Sequence, residues 1–296
     1  MIKFYYSLAP NPMKVALCLE EMSLSYEPIP VETRKGEQHE SGYLAINPNA
    51  KVPSIVDGEV AMFDSNAIVL HLAEKTGRFL PKKAQERGPM LSWLMFVASG
   101  IGPFTGQYVH FKTYAPEKIA YALNRYEFEA LRHWGIVDAH LAKNKYMAGD
   151  TYTIVDMALW GWGRLVPNIL GEQAAKFANV KRLVDEISAR PAAQKAAALT
   201  FRNPKKDATF YLQLDARTDL FNPPQQVTVR VGGQPVATFA ADSKDPILRT
   251  FDIPAEQFGS ADMSEIVLEV DRTFSGATGD SRELGVRVYH AFLEPR

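Results

Sequence analysis

Two short segments between residues 47 and 68 carry groups suited to holding a small peptide. The first, Asn-Pro-Asn-Ala-Lys-Val-Pro-Ser-Ile-Val-Asp-Gly over residues 47–58, predicts an extended run into a proline, then a strand and a turn. A cis bond between Val52 and Pro53 turns the main-chain groups of Val52 outward, where an extended peptide can pair with them as an added strand. We therefore expect this stretch to be a peptide-binding edge.

Asp64 and Ser65 follow the next predicted strand and open a helix. A helix N-terminus supplies free N–H donors, and the aspartate adds a carboxylate within the same turn. This combination suits a ligand group that carries both an anion and an ammonium. Val-Pro and Asp-Ser are common dipeptides, and each alone fits an ordinary turn or cap. Their order and spacing after a βα beginning favour the peptide site.

The element that precedes these segments is a strand at Ile2–Tyr6 followed by a helix with a marked beginning. Asparagine is a favoured N-cap and proline a favoured first helical residue, so Asn11 and Pro12 predict the helix start. Cys18 falls among leucines in this helix, which predicts a small buried hydrophobe rather than a reactive thiol.

Composition limits the classes of function. The chain has 296 residues, 46% of them hydrophobic, and a formal net charge of −1, which argues against nucleic acid or an anionic membrane surface as the principal partner. Its apolar N-terminal run is too short for a signal peptide, and no window reaches the ~18 apolar residues of a membrane helix, so we expect a cytoplasmic protein. With Cys18 as the single cysteine, neither an internal disulfide nor a thiolate metal cluster is expected.

The sequence predicts three domains. Residues 1–80 alternate strands and helices, which indicates a small mixed sheet with helices on both faces. Residues 86–200 have helical periodicity throughout and predict an all-α domain, with a turn at Gly102-Pro103. Residues 207–296 contain five to seven short alternating strands without a helix, typical of an all-β sandwich or jelly roll. The predicted helices are Met90–Ser99, Pro116–Lys143, Ile154–Val166 and Ala174–Ser188, and the predicted last strand is Gly285–Phe292.

Inside the helical part, Thr153 and Asp156 have the spacing of a capping box. Tryptophans more often fill a core than line a site. We therefore interpret four of them as structural, namely Trp93, Trp134, Trp160 and Trp162.

The first ~200 residues resemble the glutathione transferase family, most closely its bacterial nu class of glutathione-dependent disulfide-bond reductases. The resemblance combines the Val-Pro loop, the Asp-Ser pair and the capping box with shorter strings in both domains. These strings are Pro10-Asn11, Leu19-Glu20-Glu21, Lys35-Gly36 with Gln38, residues 72–77, Gly102-Pro103, Gly106-Gln107, His110-Phe111, Tyr121-Ala122, and Arg125-Tyr126 with Glu129 and Arg132. The resemblance implies a thioredoxin-like first domain, an α-helical second domain and a homodimer.

The resemblance also implies a place for each part of glutathione, the co-substrate. Val52, beside Pro53, would pair with the cysteinyl unit, and Asp64 with Ser65 would hold the γ-glutamyl end. Lys51 and Gln38 would meet the glycine carboxylate, although single polar loop residues are more often simply solvated. Arg132 would contribute to a second glutathione or to the partner subunit's site, or would form a helix-surface salt bridge.

Catalysis in this family is activation of the glutathione thiol. Asn11 is the implied catalytic residue, since it offers an amide or a backbone N–H at the positive end of the first helix. The nu-class pattern has a threonine two residues before this asparagine, where this chain has Ala9. A hydroxyl expected near the sulfur is therefore missing, and Ser7 is a weaker substitute.

An electrophile or disulfide acceptor would sit between the two domains. The expected walls of this acceptor pocket are Phe104, Tyr108, His110 and Phe111, although core or dimer packing explains Tyr108 and Phe111 equally well.

Two functions remain open on the sequence. The first is a glutathione-dependent transferase or disulfide-bond reductase. The alternative is a catalytically weak glutathione-fold binding protein whose β-sandwich recruits a carbohydrate or a protein partner. The last ~90 residues lie outside the transferase resemblance and look like an accessory β-sandwich of bacterial carbohydrate-active proteins.

Overall fold

The computed structural model describes residues 1–196, 199–216, 218–260, 263–272, 274–275, 283–284 and 286–296. The chain divides into two compact units, Met1–Ala196 and Ala197–Arg296. The first unit contains the regions predicted as a thioredoxin-like domain (1–80) and as most of an all-α domain (86–200), and the three-part division itself stays a prediction.

The first unit begins with a four-stranded sheet and the helices that cover it. The strands lie in the order β2-β1-β3-β4, with β1 parallel to β2 and antiparallel to β3. The mixed sheet predicted for this part is therefore confirmed. The elements are β1 (Ile2–Tyr6), α1 (Pro10–Glu21), β2 (Tyr26–Pro30), α2 (Ser41–Leu44), β3 (Ser54–Asp57), β4 (Val60–Phe63) and α3 (Ser65–Thr76).

The rest of the first unit is helical, as predicted. Its α-helices are α4 (Ala84–Phe96), α5 (Gly102–Val109), α6 (Ala120–Leu141), α7 (Ile154–Gly163), α8 (Val166–Leu170), α9 (Ala178–Ser188) and α10 (Pro191–Ala196). Several predicted bounds were wrong by three or more residues. Helix α4 runs from Ala84 to Phe96 rather than from Met90 to Ser99, and α6 begins at Ala120 rather than Pro116. Helix α7 ends at Gly163 rather than Val166, and α9 begins at Ala178 rather than Ala174. The capping box is confirmed, because Asp156 Oδ2 accepts from the Thr153 N–H at 2.8 Å and the Thr153 hydroxyl caps the first turn.

The turn predicted at Gly102-Pro103 was wrong, since the backbone there stays helical. A π-helical segment, Val97–Ile101, joins α4 to α5, and the Gly102 N–H bonds the Val97 carbonyl five residues back. Proline has no N–H to donate, so the residue after Gly102 can begin a new hydrogen-bond register without losing a bond.

A single apolar core runs through the first unit. Helix α1 lies at its centre, with Val15, Leu17 and Cys18 fully buried against α3, α7 and α10. The interpretation of Cys18 as a buried hydrophobe is confirmed, and burial raises the pKa of its thiol.

The described residues of the second unit form β-strands, as predicted, with one 3₁₀ turn at Ala255–Phe258. One sheet has the order β5-β10-β7-β8 and another β13-β6-β9, and residues of both share one core that includes Phe210, Val229 and Ile266. The described strands are β5 (Leu199–Arg202), β6 (Ala208–Asp215), β7 (Gln225–Val231), β8 (Gln234–Ala241), β9 (Ile247–Ile253), β10 (Met263–Val270), β11 (Phe274–Ser275), β12 (Glu283–Leu284) and β13 (Arg287–Pro295). The predicted start of the last strand, Gly285, lies outside the described residues.

Candidate active site

The N-terminus of α1 forms one side of the candidate site. Helix α1 begins two residues earlier than predicted, with Ala9 as N-cap and Pro10 as first helical residue. The expectation that Asn11 is the N-cap was therefore wrong. In the second helical position, the backbone N–H of Asn11 has no intrahelical acceptor and points out of the positive helix end.

The side chain of Asn11 is fixed by Trp162. The indole Nε1 donates a hydrogen bond of 3.0 Å to Asn11 Oδ1. This bond fixes the orientation of the amide. The amide nitrogen Nδ2 then remains available to donate to a ligand. Trp162 is buried in the core, as the sequence predicted, but its contact with Asn11 was missed.

Close contact between the backbones of α1 and α7 makes this hydrogen bond possible. A Cβ at Gly161 would lie 2.5 Å from the Pro10 carbonyl oxygen and 2.6 Å from Lys14 Cγ. Only glycine allows this approach. The Gly-Trp-Gly string at 161–163 is the sequence signal that could have indicated it.

The second side of the site is the segment before β3. The Val52-Pro53 peptide bond is cis, and Val52 lies just outside the strand, which begins at Ser54. The preceding carbonyl, that of Lys51, accepts hydrogen bonds of 2.6 Å from both the Tyr43 hydroxyl and Asn47 Nδ2. These bonds hold the main chain in place while the Lys51 side chain remains exposed.

Asp64 and Ser65 form the third side, at the beginning of α3. Asp64 is the N-cap, and its Oδ1 accepts from the N–H groups of Asn66 at 2.9 Å and Ala67 at 3.1 Å. Its φ of 68° is rare for a residue other than glycine. Backbone strain of this kind is common at functional sites. The other oxygen, Oδ2, bonds no described residue, and Asp64 is exposed, so this oxygen is open to a ligand.

A buried lysine lies beneath this cap, and sequence reasoning missed it. Lys14 is 1% exposed, and its Nζ lies 3.4 Å from Asn66 Oδ1. Burial lowers the pKa of Lys14 to about 7, while the negative charge of Asp64 opposes the shift. A charged residue within the apolar string Met-Lys-Val-Ala-Leu-Cys-Leu of α1 was the available signal.

Of the remaining predicted ligand-binding residues, Gln38 is partly buried and Arg132 is exposed. Gln38 lies in a 3₁₀ turn, Glu37–His39, and its buried Oε1 bonds none of the described residues. Arg132, on α6, donates from Nε to Glu129 Oε2 at 2.9 Å. The hydrogen bond from Arg132, and to a smaller extent that from Arg125, holds the pKa of Glu129 below its usual range.

Three of the four predicted walls of the acceptor pocket contact α6, and the fourth, His110, contacts Phe111. Phe111 stacks on Tyr126 with ring centres 5.3 Å apart, and Phe104 packs 4.8 Å from the ring of His133. The buried Tyr108 donates to Glu127 at 3.3 Å, whereas His110 is exposed beside Phe111. These contacts favour packing on α6 for Phe104, Tyr108 and Phe111. The acceptor pocket stays a prediction.

Two protein-family models match this chain and identify its family. The model of the glutathione S-transferase N-terminal domain matches residues 2–74, and that of the C-terminal domain matches residues 112–191. The chain belongs to the glutathione S-transferase family. Both matched regions lie in the first unit, so the predicted thioredoxin-like and helical parts are confirmed.

Similar proteins point to a branch of this family. The chain is 39% identical over 206 residues to the disulfide-bond oxidoreductase YfcG of Escherichia coli, covering 66% of this chain and 94% of that protein. A crystal structure of a transferase family member from Pseudomonas fluorescens with two bound glutathiones is 35% identical, with a TM-score of 0.63 and coverage of 66% of this chain and 91% of that one. A transferase from Pseudomonas putida with one bound glutathione disulfide per subunit is 31% identical, with a TM-score of 0.61 and coverage of 66% and 90%.

The described residues contain no group of three or more His, Cys, Asp or Glu side chains that could hold a metal ion. Within the same ranges, no helix has the length and apolar character needed to cross a bilayer.

Proposed function

We propose that this chain is a glutathione-dependent disulfide-bond reductase of the transferase family, with Asn11 as the residue that stabilises the thiolate. The observation that carries the proposal is the hydrogen bond from Trp162, which leaves the Asn11 amide to donate at the positive end of α1. A relative named as a disulfide-bond oxidoreductase at 39% identity supports the choice of reaction.

Glutathione lies extended between the three sides of the site. Its cysteinyl unit pairs with the main chain of Val52 beside Pro53, which places the sulfur at the start of α1. The α-ammonium of the γ-glutamyl unit meets Asp64 Oδ2, and the α-carboxylate meets the N–H and hydroxyl of Ser65. Lys51 and Gln38 hold the glycine carboxylate, and Arg132 binds a second glutathione.

The reaction is a pair of thiol–disulfide exchanges. The bound thiolate attacks one sulfur of the substrate disulfide, the S–S bond breaks, and the leaving thiolate takes up a proton. A second glutathione thiolate then attacks the mixed disulfide and releases glutathione disulfide. In total, two glutathiones and one disulfide give glutathione disulfide and two thiols. A thiol of pKa about 8.5 is mostly protonated at pH 7, so the donors at α1 act by raising the thiolate fraction.

We propose further that the protein works as a cytoplasmic homodimer and that the acceptor binds beside Phe104, Tyr108, His110 and Phe111. Sedimentation of the full chain tests the dimer: a single monomeric species at micromolar concentration would contradict it.

Turnover tests the function. The wild type, supplied with glutathione and hydroxyethyl disulfide, should reduce the disulfide, and Asn11→Ala should lower kcat/KM about 10- to 100-fold. Asn144→Ala is the matched control, because Asn144 is a half-buried asparagine just after α6 whose amide donates to the His140 carbonyl. It should retain activity. Thermal stabilisation of the wild type by glutathione, without turnover of this disulfide, would instead support the non-catalytic binding protein.

A further inference from the structure

Arg164 carries a positive charge at the start of α1 with no carboxylate to balance it among the described residues. It follows the last residue of α7, and one guanidinium nitrogen donates to the carbonyl of Leu8 at 3.1 Å. Its Nε is buried and bonds no described residue. The other neighbour is Trp160, whose ring centre lies 5.5 Å from the guanidinium carbon.

The environment of Arg164 is costly for a cation. Burial lowers the pKa of the guanidinium to about 10, and neither the Leu8 carbonyl nor the Trp160 ring carries a full negative charge. Arg164 is half-buried, and a partly desolvated charge without a counter-charge lowers stability. An anion supplied by a ligand would remove this cost.

The position of Arg164 relative to the sulfur site follows from three successive contacts. Gly161 faces the Pro10 carbonyl, Trp162 bonds Asn11, and Arg164 bonds Leu8. The end of α7 therefore lies along the start of α1. Leu8 precedes Asn11 by three residues, which separates their Cα atoms by at most about 11 Å.

We propose that Arg164 is the counter-charge of the glutathione thiolate at the start of α1. The inference rests on the proposed function and adds a residue to it. A cation near the start of α1 in a partly buried site favours the ionised thiol by roughly 0.5–1 pKa unit.

Because Ala9 has no hydroxyl, a nearby cation becomes more important for stabilising the thiolate. Ala9 occupies the N-cap of α1 and makes no side-chain capping bond. It also offers no hydroxyl to the sulfur. The electrostatic contribution of Arg164 requires no hydrogen bond to the sulfur, so it can support thiolate formation in a chain that lacks the hydroxyl.

The test is the ionisation of bound glutathione, followed by thiolate absorbance at 240 nm between pH 5 and 8.5 on the full chain. The same protein with S-methylglutathione, which has no thiol proton, provides the blank. Arg164→Gln removes the charge but keeps a donor for Leu8, and Arg164→Lys keeps the charge. Lys14, the other buried cation of α1, is present in all samples, so its own titration does not distinguish the variants.

The expected result is a rise of about 0.5–1 unit in the pKa of the bound thiol in Arg164→Gln and a value within about 0.3 unit of the wild type in Arg164→Lys. Arg164→Met replaces the glutamine variant if that variant does not fold. An unchanged thiol pKa in the charge-removing variant, with glutathione still bound, overturns the proposal. So does an unchanged thiol pKa together with a raised KM for an anionic disulfide, which would assign Arg164 to the acceptor. A wild type with no saturable thiolate signal contradicts the proposed function itself.

Discussion

The indole nitrogen of Trp162 donates to the side-chain oxygen of Asn11 at 3.0 Å, although the two residues are 151 positions apart in the sequence. This bond joins the helical part of the first unit to the beginning of α1. It selects one of the two orientations of the Asn11 amide, because the indole N–H can only donate. The amide N–H₂ is then directed away from Trp162.

Trp162→Phe should lower kcat/KM for disulfide reduction about tenfold, which corresponds to about 1.4 kcal/mol of lost transition-state stabilisation. The phenyl ring keeps the packing but cannot donate, so Asn11 loses its fixed orientation. The KM for glutathione should change less than about twofold, since the groups at Val52 and Asp64 are untouched.

Trp134→Phe is the control for this variant. Trp134 is fully buried on α6 and donates to the Thr105 hydroxyl at 3.2 Å. Its replacement should lower the free energy of unfolding while leaving kcat/KM near the wild-type value. Equal losses of kcat/KM in the two variants would show that the Asn11 contact has no special role.

Asp64→Asn should weaken glutathione binding about 10- to 100-fold, as expected for the loss of a charge-assisted hydrogen bond. The asparagine oxygen can still cap Asn66 and Ala67, so the free energy of unfolding should fall by less than about 1 kcal/mol. Calorimetric titration and urea unfolding measure the two effects separately.

A glutathione analogue without the α-amino group tests whether Asp64 binds that group, in the manner of a double-mutant cycle. The wild type should lose affinity for this analogue by the same factor, whereas Asp64→Asn should lose little more. A full further loss in the variant would mean that the ammonium binds elsewhere.

Gly161→Ala should destabilise the first unit by about 1–3 kcal/mol, since the new Cβ would lie 2.5 Å from the Pro10 carbonyl, a backbone atom that cannot rotate away. Displacement of α1 should also lower kcat/KM. Gly135→Ala, within α6, is the matched control: its Cβ would meet only Phe177 at 3.9 Å, so helix propensity should make it neutral or stabilising. Two variants of equal stability would contradict the close contact of α1 and α7.

Lys14→Met should stabilise the protein, and more so at pH 6 than at pH 9. The pKa of Lys14 is about 7 in the folded chain against an ordinary 10.5, so the unfolded chain binds more protons between these values and stability rises with pH across that window. Below pH 7 the full cost of burying the ammonium is present, and the methionine removes it.

The difference between the two pH values should be about 2–3 kcal/mol in urea unfolding. Lys82→Met, at an exposed position, should shift stability equally at both pH values because no buried charge is removed. An equal effect of Lys14→Met at pH 6 and 9 would mean that this lysine stays charged throughout.

Local signals predicted much of the fold. The alternation of strands and helices gave the mixed sheet, and the Thr153 and Asp156 spacing gave a cap that depends on four consecutive residues. The prediction of a turn at Gly102-Pro103 was wrong because a π-helical change of hydrogen-bond register lets proline continue a helix. This change of register has no simple sequence signature. Periodicity also misplaced the start of α6.

The sequence predicted the locally determined residues of the candidate site but not the contacts between its helices, for a physical reason. Asp64 and Ser65 are contiguous, and Asp64 caps the helix that Ser65 begins, so their position could be inferred from the sequence. The partners of Asn11 come from α7, and Lys14 meets Asn66 52 positions away. Such contacts depend on how helices pack, and a single sequence does not state which tryptophan or lysine faces which helix.

Calorimetric titration of the wild type with reduced glutathione tests the central claim, that the tripeptide binds between Val52, Asp64 and the start of α1. The account predicts saturable heat at micromolar to millimolar glutathione, with the affinity reduced at least about tenfold in Asp64→Asn. Absence of saturable heat up to about 10 mM glutathione, in a protein that unfolds cooperatively, would contradict it.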